Sequence, residues 1–254
     1  MVKYHLTMLK IVSIMKKYVI KEIYKRILNR IYNPFLYTNI KPQTLELQKN
    51  DKCLVIAPHP DDESIGCGGI LKLYADNFSV ISLTHGNKND IRYSEMHKAM
   101  SFAGIKELIM LNLQDKDIIS GQKKFNEINI SEYDYIFIPY IFDQHKDHKA
   151  VSILLNEKLK DKNHKKNLKI AFYEVWSTIN MPQYYVNITS VAEDKKKMIN
   201  FHKSQIAVKN YADKILGLNS YRGLLRNLGA VESFSVLDVN DFQNIVPKIV
   251  FNAI

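Results

Sequence analysis

Two short stretches hold the residues best suited to chemistry. "APHPDDESIGCGG" (57–69) places His59, Asp61, Asp62 and Glu63 within five positions, and "DQHKDH" (143–148) places Asp143, His145, Asp147 and His148 within six. Ionisable side chains packed this closely repel or compete unless a positive centre sits among them, and a divalent cation is the simplest such centre. His59 and Asp62 are three apart, and His145 and His148 repeat that spacing. Imidazole and carboxylate together suit Zn2+, and three protein ligands with an open position mark a catalytic rather than a structural site. The most economical trio is His59, Asp62 and His148. Fe2+, Co2+ or Mn2+ would fit the same donors. Asp61 is then left beside the metal, placed to take a proton from water whose pKa the metal lowers. His145 remains to stabilise a developing oxyanion and to protonate a leaving group, with Asp147 orienting its imidazole. Glu63 falls in the first turn of a helix, where a carboxylate favours the dipole and caps backbone amides.

These residues meet only if the chain brings them to one place. "KCLVIAP" (52–58) is a short apolar run bounded by charge and proline, the pattern of a buried strand. "FSVISLTHG", "ELIMLNL", "YDYIFIPY" and "LKIAFYEVW" are four more, and "YYVNIT" is a sixth candidate. Between them, "GGILKLYADN", "YSEMHKAMSFAG" (closed by Gly104 as a C-cap), "DHKAVSILLNEKLKD" and "VAEDKKKMINFHKSQ" have helical spacing. Alternating strands and helices predict an α/β domain with a doubly wound, mostly parallel sheet and helices on both faces. Such sheets bind ligands beyond the carboxyl ends of their strands. Each motif directly follows a strand, so both fall on the same edge.

Composition excludes other classes. The chain has 254 residues, 46% hydrophobic and 24% charged, which suits one α/β domain with additions and argues against disorder. Its two cysteines, Cys53 and Cys67, supply no disulfide framework and fit a reducing, cytoplasmic compartment. Net charge is +10, but residues 1–50 carry +8 of it and the other 204 residues only +2. A near-neutral domain is a poor phosphate-backbone binder, so no nucleic-acid partner is expected.

The basic excess lies in residues 1–40. Within them, "MLKIVSIMKKYVIKEIYKRILNRIY" (8–32) alternates apolar pairs and polar gaps near the helical period, and Pro34 and Pro42 break the pattern into a linker. No uncharged run there is long enough to span a bilayer, and no secretory signal is evident. Two placements fit this helix. It packs on the domain or on a second subunit in a homo-oligomer, or it lies peripherally on an anionic inner membrane face. The catalytic domain is expected over residues 41–254.

The motif pair resembles a zinc-dependent deacetylase family, the PIG-L or LmbE-like proteins. That family includes N-acetylglucosaminyl-phosphatidylinositol de-N-acetylases and the deacetylases of mycothiol and bacillithiol synthesis. The resemblance runs from about residue 50 to the C-terminus and implies a Rossmann-like fold. It also implies the same assignment: His59, Asp62 and His148 on Zn2+, Asp61 as general base, and His145 as the charged partner of the oxyanion. Weaker matches imply further roles. "THGNKNDIRYSEMHKAMSFAG" offers Arg92 to a sugar or phosphate of the substrate, "FHKSQ" offers His202 to the pocket, and "YRGLLRNLGAVESF" offers Tyr221 and Arg222 to the border of the cleft. The chain departs from some members at Asp143, where they carry a tyrosine. The function implied is hydrolytic removal of acetyl from an N-acetylated amino sugar. The rivals are an amidase cutting a larger acyl group from an aminosugar and a membrane-associated sugar-binding protein without turnover.

Overall fold

The computed structural model describes residues 41–250, and the side chain of Val250 is outside that description. The helix expected over residues 8–32 lies outside the described residues. Among the described residues no helix is long and apolar enough to cross a membrane.

The strands are β1 (Gln43–Thr44), β2 (Cys53–Ala57), β3 (Phe78–Thr84), β4 (Glu107–Leu113), β5 (Tyr135–Pro139), β6 (Lys169–Tyr173), β7 (Tyr184–Asn187) and β8 (Val231–Asp238). The helices are α1 (Asp62–Leu73), α2 (Ile91–Ala103), α3 (Gln122–Asn126), α4 (Lys146–Leu159), α5 (Ala192–Phe201), α6 (Lys203–Ile206), α7 (Ala212–Leu224) and α8 (Val239–Val250). The strands form one sheet in the order β1-β7-β8-β6-β5-β2-β3-β4. β2 pairs in parallel with β3 on one side and β5 on the other, with Cys53 opposite both Phe78 and Tyr135. β8 is antiparallel to both β6 and β7.

Helices cover both faces, as expected. Cys53, Val55 and Ala57 of β2 join one apolar cluster, and Leu54 and Ile56 join another. Side chains alternate across a strand, so β2 is buried on both faces and reads as a continuous apolar run. Gly104 ends α2 in the left-handed region at φ 95°, the expected C-cap.

The helix expected over "VAEDKKKMINFHKSQ" is split at His202 into α5 and α6, and two further differences from the sequence pattern bear on the site. The first helix starts at Asp62, six residues before the expected Gly68, and takes the glycines inside it. They are there for packing. A Cβ on Gly66 would lie 2.1 Å from the Tyr173 ring, and one on Gly69 would lie 2.4 Å from Ile188. The second is β8, expected only as a motif ending "ESF". It slots between β6 and β7 and joins the short β7–β1 flank to the parallel sheet.

Candidate active site at the β2–β5 edge

β3 follows β2 on one side and β5 lies on its other side, so the direction of strand addition reverses between β2 and β5. A crevice opens at the carboxyl ends of such a pair. The β2–α1 turn delivers His59, Asp61 and Asp62 there, and the β5–α4 turn delivers Asp143, His145, Asp147 and His148.

Asp62 joins the two halves. Its Oδ2 lies 3.2 Å from His59 Nδ1 and 3.2 Å from His148 Nε2, and it accepts the His59 backbone N–H at 3.0 Å. His148 is fully buried, and neither of its ring nitrogens has a hydrogen-bond partner among the described residues. Its Nδ1 lies 3.3 Å from Asp143 Oδ2, which faces it from behind. Asp143 also accepts the backbone N–H of His145 at 2.9 Å and of Trp176 at 3.0 Å.

This donor set fits a divalent cation. Donor atoms 3.2 Å apart suit a common ion, since ligands about 2.1 Å from a tetrahedral centre lie about 3.4 Å from one another. The electrostatics agree. Burial opposes the Asp62 charge, yet His148 and His59 outweigh it and hold its carboxyl well below the usual range. Burial also pulls the imidazoles down, but Asp147 and Asp62 raise His59 to about 9, and Asp62 and Asp143 raise His148 to about 10. The site is rich in negative charge that a cation would balance.

Among the described residues, the groupings whose ligand atoms all lie within 4.8 Å of one another are His59, His145 and His148, and His59, Asp115 and Asp147. The cap of α4 bears on the first. His145 is the N-cap residue, and its Nδ1 accepts the backbone N–H of Asp147 at 3.2 Å. An acceptor at Nδ1 puts the proton of a neutral ring on Nε2, which then donates rather than ligates. His145 is partly exposed, and burial with the nearby His148 and His59 rings holds its pKa below the ordinary value. In the expected role of His145 as partner of an oxyanion, this ring would act as an Nε2 donor. Asp147 differs from expectation. Its backbone meets His145, while its carboxylate turns to His59 Nε2 at 3.0 Å and the Lys116 N–H at 2.9 Å. The helical start at Lys146 points its side chain back across the edge, so it braces His59 instead.

Asp61 occupies the N-cap position of α1, yet its side chain makes no cap bond. Its φ is 129°, a region that non-glycine residues avoid and that costs of order 1–3 kcal/mol. Glu63 holds the turn, accepting the Asp61 N–H at 3.0 Å. The carboxylate so released accepts from Arg92 Nη2 at 3.1 Å and from the Tyr211 hydroxyl at 2.7 Å. Burial, then the Asp62 charge, pushes the Asp61 pKa up to about 6, while Arg92, His202 and Tyr211 pull it back.

The remaining expected residues divide. Arg92 reaches the site but is occupied there, donating to the Pro60 carbonyl at 2.7 Å as well as to Asp61. His202 is fully buried behind the turn, 3.2 Å from Glu63 Oε1 and 3.3 Å from Ser64 Oγ, and does not line an open pocket. Arg222 is ion-paired to Glu174 and donates to the Ile179 carbonyl at 2.7 Å. Tyr221, beside it on α7, is 61% exposed. Tyr211 and Asp115 were not singled out from the sequence. Tyr211 stands alone in "KNYAD" with no motif around it, and Asp115, whose Oδ1 is 3.2 Å from His59 Nε2, follows a strand as many loop aspartates do.

Comparison with known proteins agrees with the motif pair. Residues 54–157 match the family model for the GlcNAc-PI de-N-acetylase family, PIG-L. The fold is similar to that of N,N'-diacetylchitobiose deacetylase from Pyrococcus horikoshii, with a TM-score of 0.64 and 21% identity over 87% of this chain and 94% of that one. It is also similar to the A40926 pseudoaglycone deacetylase Dbv21, with a TM-score of 0.55 and 13% identity over 74% and 98% of the two chains. A third similar structure is GalB, the 4-carboxy-2-hydroxymuconate hydratase from Pseudomonas putida KT2440, with a TM-score of 0.58 and 16% identity over 74% and 96%. The fold is thus LmbE-like, and it houses more than one reaction.

Proposed function

We propose that this PIG-L-type chain is a metal-dependent hydrolase that removes the acetyl group from an N-acetylated amino sugar. The observation that carries the proposal is Asp61: a buried carboxylate in strained backbone, next in sequence to Asp62 of the Asp62–His59–His148 cluster, withheld from its own helix and held instead by Arg92 and Tyr211. A protein that only bound sugar would gain nothing from that strain. The family match over residues 54–157 and the two deacetylases of similar fold support acyl transfer over the hydration chemistry of GalB.

His59, Asp62 and His148 would hold the ion, Zn2+ by the mix of imidazole and carboxylate, and the ion would supply Lewis acidity toward water and the acetyl carbonyl. Asp61 takes the proton of the attacking water as its oxygen bonds to the carbonyl carbon. Arg92 and Tyr211 hold the two oxygens of that carboxylate in place. His145 donates from Nε2 to the carbonyl oxygen as charge develops there. The C–N bond then breaks, the nitrogen takes the proton that Asp61 accepted from water, and acetate and a free amine leave with Asp61 ionised again. Asp143 and Asp147 steady His148 and His59 from behind.

Acetate release from free, nucleotide-linked and lipid-linked N-acetylglucosamine, with metal-replete wild type beside Asp61→Asn, tests the proposal. Release confined to the wild type supports it. Release by both proteins removes Asp61 as base. No release from any sugar, with metal bound, rejects the N-acetyl sugar and favours a larger acyl group.

A further inference from the structure

Trp176 lies three residues past the end of β6, on the same sheet edge as the two motifs, and it is 40% exposed. The backbone beneath this ring is fixed. Its N–H donates to Asp143 Oδ2 at 3.0 Å, the carboxylate that backs His148. The loop it rides is closed on itself, because Glu174 Oε1 accepts the Ile179 N–H at 2.7 Å and Arg222 clamps both Glu174 and the Ile179 carbonyl. The indole stands perpendicular to the Tyr211 ring at 5.5 Å, and the Tyr211 hydroxyl is the one 2.7 Å from Asp61. One residue, Tyr211, therefore separates this ring from the base, and one, Asp143, separates its backbone from a metal-ligand candidate.

We infer that Trp176 is the platform on which the pyranose ring of the substrate stacks, and that it sets the preference for a cyclic sugar over other acetamides. The inference rests on the deacetylase proposal for its substrate, but not for its geometry. A pyranose has an apolar face of C–H groups and a polar rim of hydroxyls. A rigid, half-open indole takes that face by dispersion and by its negative π-surface, with little ordering cost because the loop is already pinned. The rim remains open to polar groups and water. Lys209, exposed, lies 5.6 Å from the indole centroid. Its hold is that of a solvated cation on a ring, weak enough to yield to a sugar. Arg222 acts here through the loop, as a positioning residue.

The test uses the fact that Trp176 is the single tryptophan in the chain, so all indole emission reports on it. In metal-replete Asp61→Asn protein, titration with the methyl glycoside of N-acetylglucosamine should shift the emission saturably, and N-acetylethanolamine should not. In the otherwise wild-type chain, Trp176→Ala should raise KM for the sugar roughly five- to tenfold with kcat within about twofold, and Trp176→Phe should restore most of the loss. An emission unmoved by any sugar at concentrations that saturate turnover overturns the inference. So does an unchanged KM in folded Trp176→Ala. Either result would leave acetate release, and with it the deacetylase proposal, standing. If instead no acetate is released but sugar still shifts the emission, the platform stands and the reaction does not.

Discussion

The Tyr211 hydroxyl donates to Asp61 Oδ2 at 2.7 Å, across 150 positions of sequence. It comes from the start of α7, far from either motif, and completes a carboxylate whose other oxygen Arg92 already holds. Tyr211→Phe removes one hydrogen bond and little volume. We expect kcat to fall about tenfold with bound metal unchanged, as measured by steady-state kinetics beside metal analysis, because a misaimed base loses part of the 10²–10⁴-fold such groups supply. An undiminished kcat would show that Arg92 alone orients Asp61.

Asp61 itself separates stability from activity. Asp61→Gly relieves φ 129° and removes a buried carboxylate, so unfolding free energy should rise by about 1–2 kcal/mol while turnover drops to background. Denaturant titration and acetate release on the same preparation check both halves. A less stable variant would mean that the Arg92 and Tyr211 contacts outweigh the strain.

Metal content should follow the ligands and their supports in order. His148→Ala and Asp62→Ala should bind less than one tenth of an equivalent by atomic emission. Asp143→Ala, which leaves the ligands but frees the back of His148, should weaken affinity by about 10–100-fold. His145→Ala should keep full occupancy. Loss of metal in His145→Ala would promote it to a ligand in place of Asp62.

His202 and Glu63 form a buried pair that makes stability depend on pH. Burial lowers the imidazole pKa, but the Glu63 bond and charge outweigh it and leave it raised above 6.5. A raised folded-state pKa adds stability that is fully present below the unfolded value and is lost as pH rises through the folded one. His202→Gln should therefore cost about 3 kcal/mol near pH 6, and the difference from wild type should shrink in alkaline solution. Urea unfolding at both ends of that range reads it. A penalty that grows with pH would reverse the assignment.

Lys195 and Glu232 are each 1% exposed and meet at 2.7 Å, and Glu232 also accepts the N–H of Gly69 and Ile70 inside α1. Lys195→Met strands that carboxylate and should destabilise by about 3–5 kcal/mol. Thermal unfolding with and without a second change, Glu232→Gln, should show the pair to be strongly coupled. Additive losses would argue that the two residues act independently.

The two His/Asp motifs were legible as a cluster because each hangs on a strand end, where local sequence and three-dimensional position coincide. The parallel strands were legible for the same reason: double-sided burial makes them plain apolar runs. What escaped was non-local. Nothing around Tyr211 marks it, since its importance arises from where α7 lands. β8 was missed because its polar positions serve the fold's interior: Glu232 lies within the strand but faces a lysine. The direction of the Asp147 carboxylate depends on a cap geometry that spacing does not reveal. Arg92 and His202 were found as residues, but their partners, Asp61 and Glu63, are visible only in space.

β2 and β5 share a ladder in which Val55 lies opposite Phe137. The two halves of the centre are thus fixed to adjacent rails of one rigid frame, with no hinge between them. Altering substrate choice by respacing the motifs would dismantle the centre. The adjustable parts are the segments hung from the flank, 174–183 and 203–210, short of Tyr211, and a library confined to them should change which compound is accepted while leaving the centre in place.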